Sequence, residues 1–150
     1  MFEMDTIRLG IAADHAGFEY KEAIARLLKK NGYDIKDFGT YTPESVDYPD
    51  YVHPLCNEID AGKLDRGILL CGTGNGVAMA ANKHPSVKAA VCWDNDIAVL
   101  ARRHNDANVI CLPARFVSLE LAIEMVQLFL NTEFEGGRHK RRVDKIPLGQ

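Results

Sequence analysis

The chain has 150 residues, 47% of them hydrophobic, which is enough for one domain with its own core and no need of disulfides. Its formal net charge of −3 excludes a general affinity for nucleic acid or for an anionic membrane surface, because both need a basic excess. No apolar run is long enough to cross a bilayer and no signal peptide is recognisable, so we expect a cytoplasmic protein without membrane contact.

Short β-rich runs alternate along the chain with longer segments of helical period. The five predicted strands are IRLGIAA (7–13), YDIKDFG (33–39), RGILLC (66–71), VKAAVCW (87–93) and ANVICL (107–112), and a helix follows each. The last three strands are almost continuously apolar, as is typical of strands buried on both faces of a parallel sheet. The pattern predicts an α/β fold: a three-layer, doubly wound, Rossmann-like sandwich with a five-stranded parallel sheet, formed by residues 1–150 as a single domain.

The first and last long helices differ in their amphipathicity. In the first, Tyr20, Ile24 and Leu28 share an apolar face, and we assign Lys21 to the polar face. The last, over 118–131, is apolar around most of its circumference, and its polar stripe consists of Glu120, Glu124 and Gln127. Two interpretations of this excess are open: a subunit interface, or burial under the C-terminal tail.

The residues that follow the strands are the candidates for chemistry, because open parallel sheets bind ligands beyond the carboxyl ends of their strands. Asp14 and His15 follow the first strand and Tyr48 follows the second. The loop CGTGNG (71–76) follows the third strand, and Arg115 follows the fifth. We expect these groups to converge on one edge of the sheet.

The glycine loop fits neither of the common nucleotide motifs. It lacks the spacing GxxxxGK[ST], and Val77 stands where a dinucleotide fingerprint would need glycine. A glycine-rich turn that runs into a helix still directs several backbone N–H groups into one cavity, where they favour an anion. That anion is either a phosphate or an oxyanion that forms during a reaction.

Cys71 directly precedes this turn. A cysteine at a strand end is commonly a small core residue, which is our interpretation of Cys92 and Cys111. The N–H groups beside Cys71 favour its thiolate, which suits a nucleophile or a general base. The cysteines and histidines show no metal-binding spacing, so we predict no metal site.

Basic residues near the C-terminus indicate what the substrate carries. Arg138 and Arg142 are four residues apart and therefore share a helical face, and guanidinium groups bind phosphate in bidentate fashion. Together with Arg115 they indicate a small phosphorylated metabolite, with solvated surface charge as the alternative. His104, in RRHNDANVI, is either a helix-capping histidine or a proton donor, with Asn105 on a sugar hydroxyl.

The chain resembles the ribose/galactose phosphate isomerase family, which includes ribose-5-phosphate isomerases of type B and the galactose-6-phosphate isomerase subunits. The segments that carry the resemblance are ADHAGFEYK, DFGT, VDYPDY, GILLCGTGNG, AANK, RRHNDANVI and FEGGRHKRRV. They stand in the family's order and extend over nearly the whole chain. The resemblance implies interconversion of D-ribose 5-phosphate and D-ribulose 5-phosphate through a cis-enediolate, without metal or organic cofactor.

The resemblance also implies a role for each candidate residue. Cys71 is the expected base and Thr73 assists proton movement, while His104 opens the sugar ring. The expected anion hole for the enediolate is the loop of Gly72, Thr73, Gly74, Asn75 and Gly76. The expected sugar contacts are Asp14, His15, Tyr48 and Asn105. The expected phosphate clamp is Arg115, Arg138 and Arg142, with His139 nearby.

Family members share their active sites between subunits, so we expect a homodimer or tetramer. The tail, from about residue 134 to 150, is then expected to pack on or reach into a partner subunit. One branch of the family has a glutamate at the position of Val77 instead of the cysteine, and many members have a glycine at the position of Pro113. Three alternatives stay open: an isomerase of a six-carbon substrate such as allose or galactose 6-phosphate, a non-catalytic phosphosugar-binding module, and a cysteine-dependent hydrolase.

Overall fold

The computed structural model describes residues 7–149. Residues 1–6 and Gln150, which the sequence analysis places in the same domain, lie outside the described residues. The secondary-structure elements, in chain order, are β1 (Arg8–Ala13), α1 (Phe18–Lys30), β2 (Asp34–Asp37), α2 (Pro49–Asp60), β3 (Arg66–Cys71), α3 (Asn75–Ala81), β4 (Ala89–Val91), α4 (Asn95–Arg103), β5 (Val109–Pro113), α5 (Leu119–Asn131) and α6 (Arg138–Val143).

The five strands form one parallel sheet in the order β2-β1-β3-β5-β4. From β1 the chain moves outward to β2 and then returns to the other side of β1 at β3. The carboxyl ends of β1 and β3 therefore flank the point where the direction of winding reverses, which is where open α/β sheets bind their ligands. The predicted doubly wound α/β fold is confirmed.

Helices cover both faces of the sheet, each with its own apolar cluster. One cluster joins the sheet to α1, α4 and α5, with Ile24, Ala98 and Phe129 among its fully buried members. The other joins it to α2 and α3 through residues such as Leu55 and Val77. Because both faces are covered, a ligand can reach the sheet in two places. One is the edge at which the parallel strands begin, and the other is the opposite edge, at which they end.

Lys21 is buried, which contradicts its assignment to a polar face. Its side chain is fully inaccessible, and its Nζ lies 2.7 Å from both Glu22 Oε2 and Asp37 Oδ2. Asp37 in turn accepts a hydrogen bond from the Gly39 amide through its other oxygen. The buried amine thus faces two carboxylates, and its contact with Asp37 ties α1 to the end of β2.

The strand β4 is less deeply buried than its apolar sequence predicts. It is an outermost strand of the sheet, paired only with β5, and its three residues are half-buried. Ala90 packs against one core cluster and Ala89 and Val91 pack against the other, so β4 is partly covered on both faces. The strand β5, which lies between β3 and β4, is buried throughout, as expected.

The apolar side chains of α5 are buried or half-buried against other elements of the same chain. The helix packs against α4, α1 and β5, and its half-buried Leu119, Leu121 and Ile123 contact the same core cluster. None of its large apolar side chains is among the exposed ones. The composition of α5 is thus explained by packing on neighbouring helices, and it provides no separate argument for a subunit interface.

The tail crosses the end of α4 before it forms α6. The Glu135 amide donates to Arg103 O at 3.0 Å, and Gly136 and Gly137, both with positive φ, precede Arg138. The predicted helical placement of Arg138 and Arg142 is confirmed. Among residues 7–149, no helix combines the length and apolar character that a bilayer-spanning segment needs.

Candidate active site

Cys71 ends β3 and lies at the entrance to the glycine loop. Its Sγ accepts a hydrogen bond from the Gly74 amide at 3.2 Å, and the residue is 5% exposed. Gly74 has φ of 76°, a left-handed conformation that turns the chain back toward the sulfur before α3 begins. This hydrogen bond joins the sulfur to the backbone of the glycine loop.

The loop after Cys71 presents backbone donors to the same space. The Asn75 amide bonds to Thr73 Oγ1 at 3.2 Å. The amides of Gly72, Thr73 and Gly76 have no acceptor among the hydrogen bonds of residues 7–149. Several free donors in one small turn form a site for an oxyanion.

Tyr48 and Arg115 border this loop on two sides. A Cβ on Gly76 would lie 2.5 Å from Cζ of Tyr48, so only glycine lets the tyrosine ring approach so closely. A Cβ on Gly72 would lie 3.3 Å from Arg115 Nη1, which places the guanidinium over the start of the loop. An aromatic ring and a cation thus enclose the amides that follow Cys71.

Pro113 is compatible with the backbone that carries Arg115. It is the last residue of β5 and lies opposite Cys71, where the loss of one N–H donor interrupts no strand pairing further along. Ala114 and Arg115 then donate to the carbonyls of Cys71 and Gly72 at 2.9 and 3.1 Å. These two bonds fix Arg115 next to the glycine loop.

Asp14 and His15 follow β1 at the same edge. Asp14 is 7% exposed and its Oδ1 accepts from the amides of Ala16 and Gly17, so one oxygen caps the turn into α1. His15 Nδ1 accepts from the Val46 amide at 3.2 Å, which places the proton of the neutral ring on Nε2. Asp14 therefore has one oxygen and His15 one ring nitrogen left for a ligand.

The remaining cysteines have the properties of core residues. Burial, with a smaller contribution from nearby Asp60, raises the pKa of Cys56 to about 12. Burial and then Asp94 raise the pKa of Cys92 to about 12. Burial, followed by the other cysteines, raises the pKa of Cys111 well above its usual range. These thiols stay protonated at neutral pH, in agreement with the interpretation of Cys92 and Cys111 as packing residues.

A second group of candidate residues lies where α4 ends. The imidazole rings of His104 and His139 stack, with centroids 4.1 Å apart and planes 10° from parallel. These two rings, with Asn105 and Arg142, line a pocket of about 390 Å³. Burial lowers the pKa of His139, and the positive charges of His104, Arg138 and Arg142 lower it further against the opposing effect of Glu135.

This pocket is better suited to an anion than to a metal ion. His104, Glu135 and His139 bring three possible ligand atoms within 4.8 Å of one another. However, a metal ion lies in the plane of each imidazole that binds it, and two stacked rings have separate planes. Arg138 and Arg142 add positive charge beside His139. Arginine side chains beside this pair of imidazoles favour an anion such as a phosphate.

The two groups lie at opposite edges of the sheet, because the first follows strands and the second follows the helix α4. Cys71 lies where strands end, whereas Asn108 and Val109 donate to Lys88 O, so the turn after His104 lies where β4 and β5 begin. The strand β5 has five residues, and at about 3.3 Å per residue its ends are about 13 Å apart. Within one chain, His104 is therefore too far from Cys71 to remove the proton of its thiol. Nor do Arg115 and Arg142 form one clamp within one chain.

The comparisons with known proteins agree with this architecture. A sequence profile described as Ribose/Galactose Isomerase matches residues 9–146. Ribose-5-phosphate isomerase B of Escherichia coli is 41% identical over 139 residues, which cover 93% of each chain.

Solved structures of similar proteins give the same result. Ribose-5-phosphate isomerase B of Clostridium thermocellum is 48% identical with a TM-score of 0.91, covering 93% of this chain and 95% of that one. The Mycoplasma genitalium protein of the same name, described with bound ribulose 5-phosphate, is 43% identical with a TM-score of 0.90 and covers 94% of both chains.

The chain belongs to the ribose/galactose isomerase family. The matched residues 9–146 include the Cys71 loop at one edge and α6 at the other, so family membership extends over both groups of candidate residues. The resemblance found in the sequence is thereby confirmed.

Two buried cations that support the site were not singled out from the sequence. Lys21 precedes Ile24, Ala25 and Leu28 by three, four and seven residues, which is the spacing of a buried helix face. Arg102 lies four residues after the buried Ala98. Their helical spacing relative to these buried residues indicated burial. The general expectation that charged residues are exposed pointed the other way.

Proposed function

We propose that the protein interconverts D-ribose 5-phosphate and D-ribulose 5-phosphate, with Cys71 as general base and the loop of residues 72–76 as the oxyanion hole. The observation that carries the proposal is the hydrogen bond from the Gly74 amide to Cys71 Sγ. It lies next to three amides that have no hydrogen-bond acceptor among residues 7–149. A base beside an oxyanion hole is the arrangement that proton abstraction next to a carbonyl requires.

The reaction then follows from the placement of these groups. The thiolate removes the proton from C2 of the open-chain aldose, and the negative charge moves onto the carbonyl oxygen. The free amides of the loop stabilise this enediolate, a kind of interaction in which a single donor is worth roughly 3 kcal/mol. Return of the proton to C1 gives the ketose, and the exposed Thr73 hydroxyl beside the loop moves the proton between the two oxygens.

The remaining steps are assigned to the edge with His104. His104 transfers the proton that opens the furanose ring, Asn105 binds a sugar hydroxyl, and Arg138 and Arg142 bind the phosphate together with His139.

The Cys71 edge binds the sugar from the other side, through Asp14, His15 and Tyr48. Arg115 reaches the substrate from this same edge. The sugar phosphate is thus held from both ends.

These assignments require two copies of the chain, because the edges are too far apart for one small substrate to contact both in a single copy. Each active site is then formed by the Cys71 edge of one subunit and the His104 edge of another, in a dimer or a pair of dimers. Large apolar side chains are exposed at both edges: Trp93 and Phe116 beyond the strand ends, Ile146 beside His104. Such exposed apolar groups are typical of surfaces that a partner covers.

The experiment that tests the proposal compares Cys71→Ala with Cys92→Ala, a control that also removes a buried thiol but leaves the loop intact. We expect Cys71→Ala to lose interconversion in both directions while it still binds the sugar phosphate, and Cys92→Ala to remain active. Full activity of Cys71→Ala would exclude the cysteine as the base. A stable covalent adduct between Cys71 and substrate, without exchange of the C2 hydrogen, would instead support hydrolase chemistry.

The same assay with six-carbon aldose phosphates determines the preferred substrate. We expect ribose 5-phosphate to have a higher kcat/KM than allose 6-phosphate or galactose 6-phosphate. Tight binding of all three without turnover would support a phosphosugar-binding module. Gel filtration of the same sample measures the oligomeric state, and a monomer that is fully active would contradict the shared site.

A further inference from the structure

A buried arginine connects the parts of the His104 edge. Arg102 occupies the last turn of α4 and is 4% exposed. Its Nη1 donates to Asp106 Oδ1 at 3.0 Å and to Ala107 O at 2.7 Å, and its Nε donates to Thr132 O at 3.0 Å. One guanidinium therefore bonds to the turn that follows His104 and, at the same time, to the end of α5.

The turn that Arg102 binds has an unusual backbone. Asp106 has φ of 51° and is the one non-glycine residue with positive φ among residues 7–149. Left-handed backbone at an aspartate is unfavourable unless its surroundings hold it. The Asp106 amide bonds back to Arg102 O, and the Ala107 amide to Ala101 O, so the turn closes tightly on the helix that carries His104.

The third bond of Arg102 controls the path of the tail. Thr132 is the first residue after α5, and three residues later the Glu135 amide bonds to Arg103 O. These two contacts fix the tail across α4 directly before Gly136 and Gly137 introduce α6. His139, on α6, stacks on His104, at the end of α4, so this stack lies directly beyond the two contacts that fix the tail.

Packing alone does not account for an arginine here. A buried guanidinium costs solvation free energy, and an apolar side chain of similar volume often stabilises a protein equally well or better. The guanidinium provides instead several donors in a fixed plane, which join acceptors from separate segments at defined angles. Its benefit is therefore geometric.

We propose that Arg102 is a positioning residue, whose buried guanidinium holds the His104–Asn105 turn in register with the segment that carries Arg138, His139 and Arg142. The inference rests on the proposed function, in which this edge opens the sugar ring and binds the phosphate. Arg102 itself touches no substrate; it acts through the placement of His104 and α6.

The first measurement is independent of activity. The ring protons of His104 and His139 are assigned by single substitutions and their NMR shifts compared between wild type, Arg102→Lys and Arg102→Met. We expect both variants to move these shifts toward the values of unstacked imidazoles, because a lysine ammonium cannot reach all three acceptors in the guanidinium plane. Arg103→Met removes an exposed arginine one position along and leaves its carbonyl in place, so it should keep the wild-type shifts.

The second measurement separates positioning from stability. Ribose 5-phosphate exists mainly as a furanose ring, whereas ribulose 5-phosphate, whose O5 is esterified, cannot close one, so only turnover of the aldose begins with ring opening. The comparison is made on kcat, because the equilibrium constant fixes the ratio of the two kcat/KM values. We expect Arg102→Lys to lower kcat roughly 10- to 100-fold from the aldose and less than about threefold from the ketose.

Leu28→Ala is the stability-matched control, since it destabilises the core at a distance from His104 and should lower neither kcat selectively. Unchanged histidine shifts in both Arg102 variants would overturn the proposal whatever the activity. Equal losses of kcat in both directions would also overturn it and reduce Arg102 to a structural role. A wild-type protein that converts neither sugar would refute the proposed function, and the shifts would still decide whether Arg102 positions the histidines.

Discussion

The two edges of the sheet are built in different ways. At the Cys71 edge, the candidate residues directly follow strands β1, β3 and β5, so hydrogen bonds to the sheet fix them. At the His104 edge, they follow a helix and lie on a short terminal helix, and their placement depends on side-chain contacts such as the His104–His139 stack. The first edge therefore inherits the rigidity of the sheet, while the second depends on a few buried groups.

Each edge contains one buried cation that joins separate segments. Lys21 pairs with Asp37, whose other oxygen holds the Gly39 amide, and Gly39 and Thr40 bond to both sides of Ala13, next to Asp14. Arg102 has the equivalent position beneath His104. The comparison indicates that the Cys71 edge and the His104 edge are separately anchored, so damage to one should leave the other intact.

The largest expected effect tests this division at His104. His104→Asn should lower kcat for ribose 5-phosphate by roughly 10²- to 10⁴-fold, because it removes the acid/base group proposed for ring opening. Turnover of ribulose 5-phosphate, which has no ring to open, should be retained. Initial rates in both directions provide the measurement. An equal loss in both directions would place His104 in the proton transfer between carbons and break the division between the edges.

The next effect concerns the phosphate. Arg138→Ala and Arg142→Ala should each raise KM roughly 10- to 100-fold, since each removes one of the charge-assisted hydrogen bonds proposed for the phosphate, worth about 1.5–3 kcal/mol. Arg141→Ala, on the same helix, is the control and should have little effect. The slow turnover of an unphosphorylated sugar should be spared by all three. An unchanged KM in the Arg138 and Arg142 variants would exclude them from the clamp.

A stability effect distinguishes the anchor of the Cys71 edge. Lys21→Met should lower the free energy of unfolding by roughly 3 kcal/mol, because it leaves Asp37 partly buried without its cation. Lys29→Met, at an exposed position of the same helix, should change it little. Urea denaturation measures both. Equal stabilities of the two variants would show that the buried ion pair contributes no net stability.

The smallest expected effect is a pH dependence at His139. Its pKa is lower in the folded protein than in the unfolded chain, so between those two values the unfolded state binds more protons. The free energy of unfolding should therefore rise with pH across that window, below about pH 6.5, and fall on acidification. His139→Gln should flatten this part of the curve. The same slope in both proteins would mean that His139 is not the group responsible.

The sequence predicted the Cys71 edge well because a general rule covers it. Strand ends of a parallel sheet collect ligand-binding residues, and Asp14, Cys71 and Arg115 each follow a strand as expected. The position of His104 at the opposite edge was also implicit, since a helix that connects parallel strands ends where the next strand begins.

The supporting contacts could not be predicted in the same way. The stack of His104 on His139 depends on how residues 132–137 cross α4, which no local pattern specifies. Burial of Lys21 and Arg102 depends on compensating groups from distant segments: Asp37 for the lysine, and Thr132 O for the arginine. Helical spacing pointed to both, but residue type alone predicted exposure.

The central claim, that each active site joins the Cys71 edge of one subunit to the His104 edge of another, has a direct test. Cys71→Ala and His104→Asn subunits, each inactive alone toward ribose 5-phosphate, are unfolded, mixed in equal amounts and refolded together. If sites are shared, half of the dimers are mixed and each has one intact site, so about a quarter of wild-type activity should return. If every site lay within one chain, every site would keep a defect, and the mixture would stay as inactive as its parents.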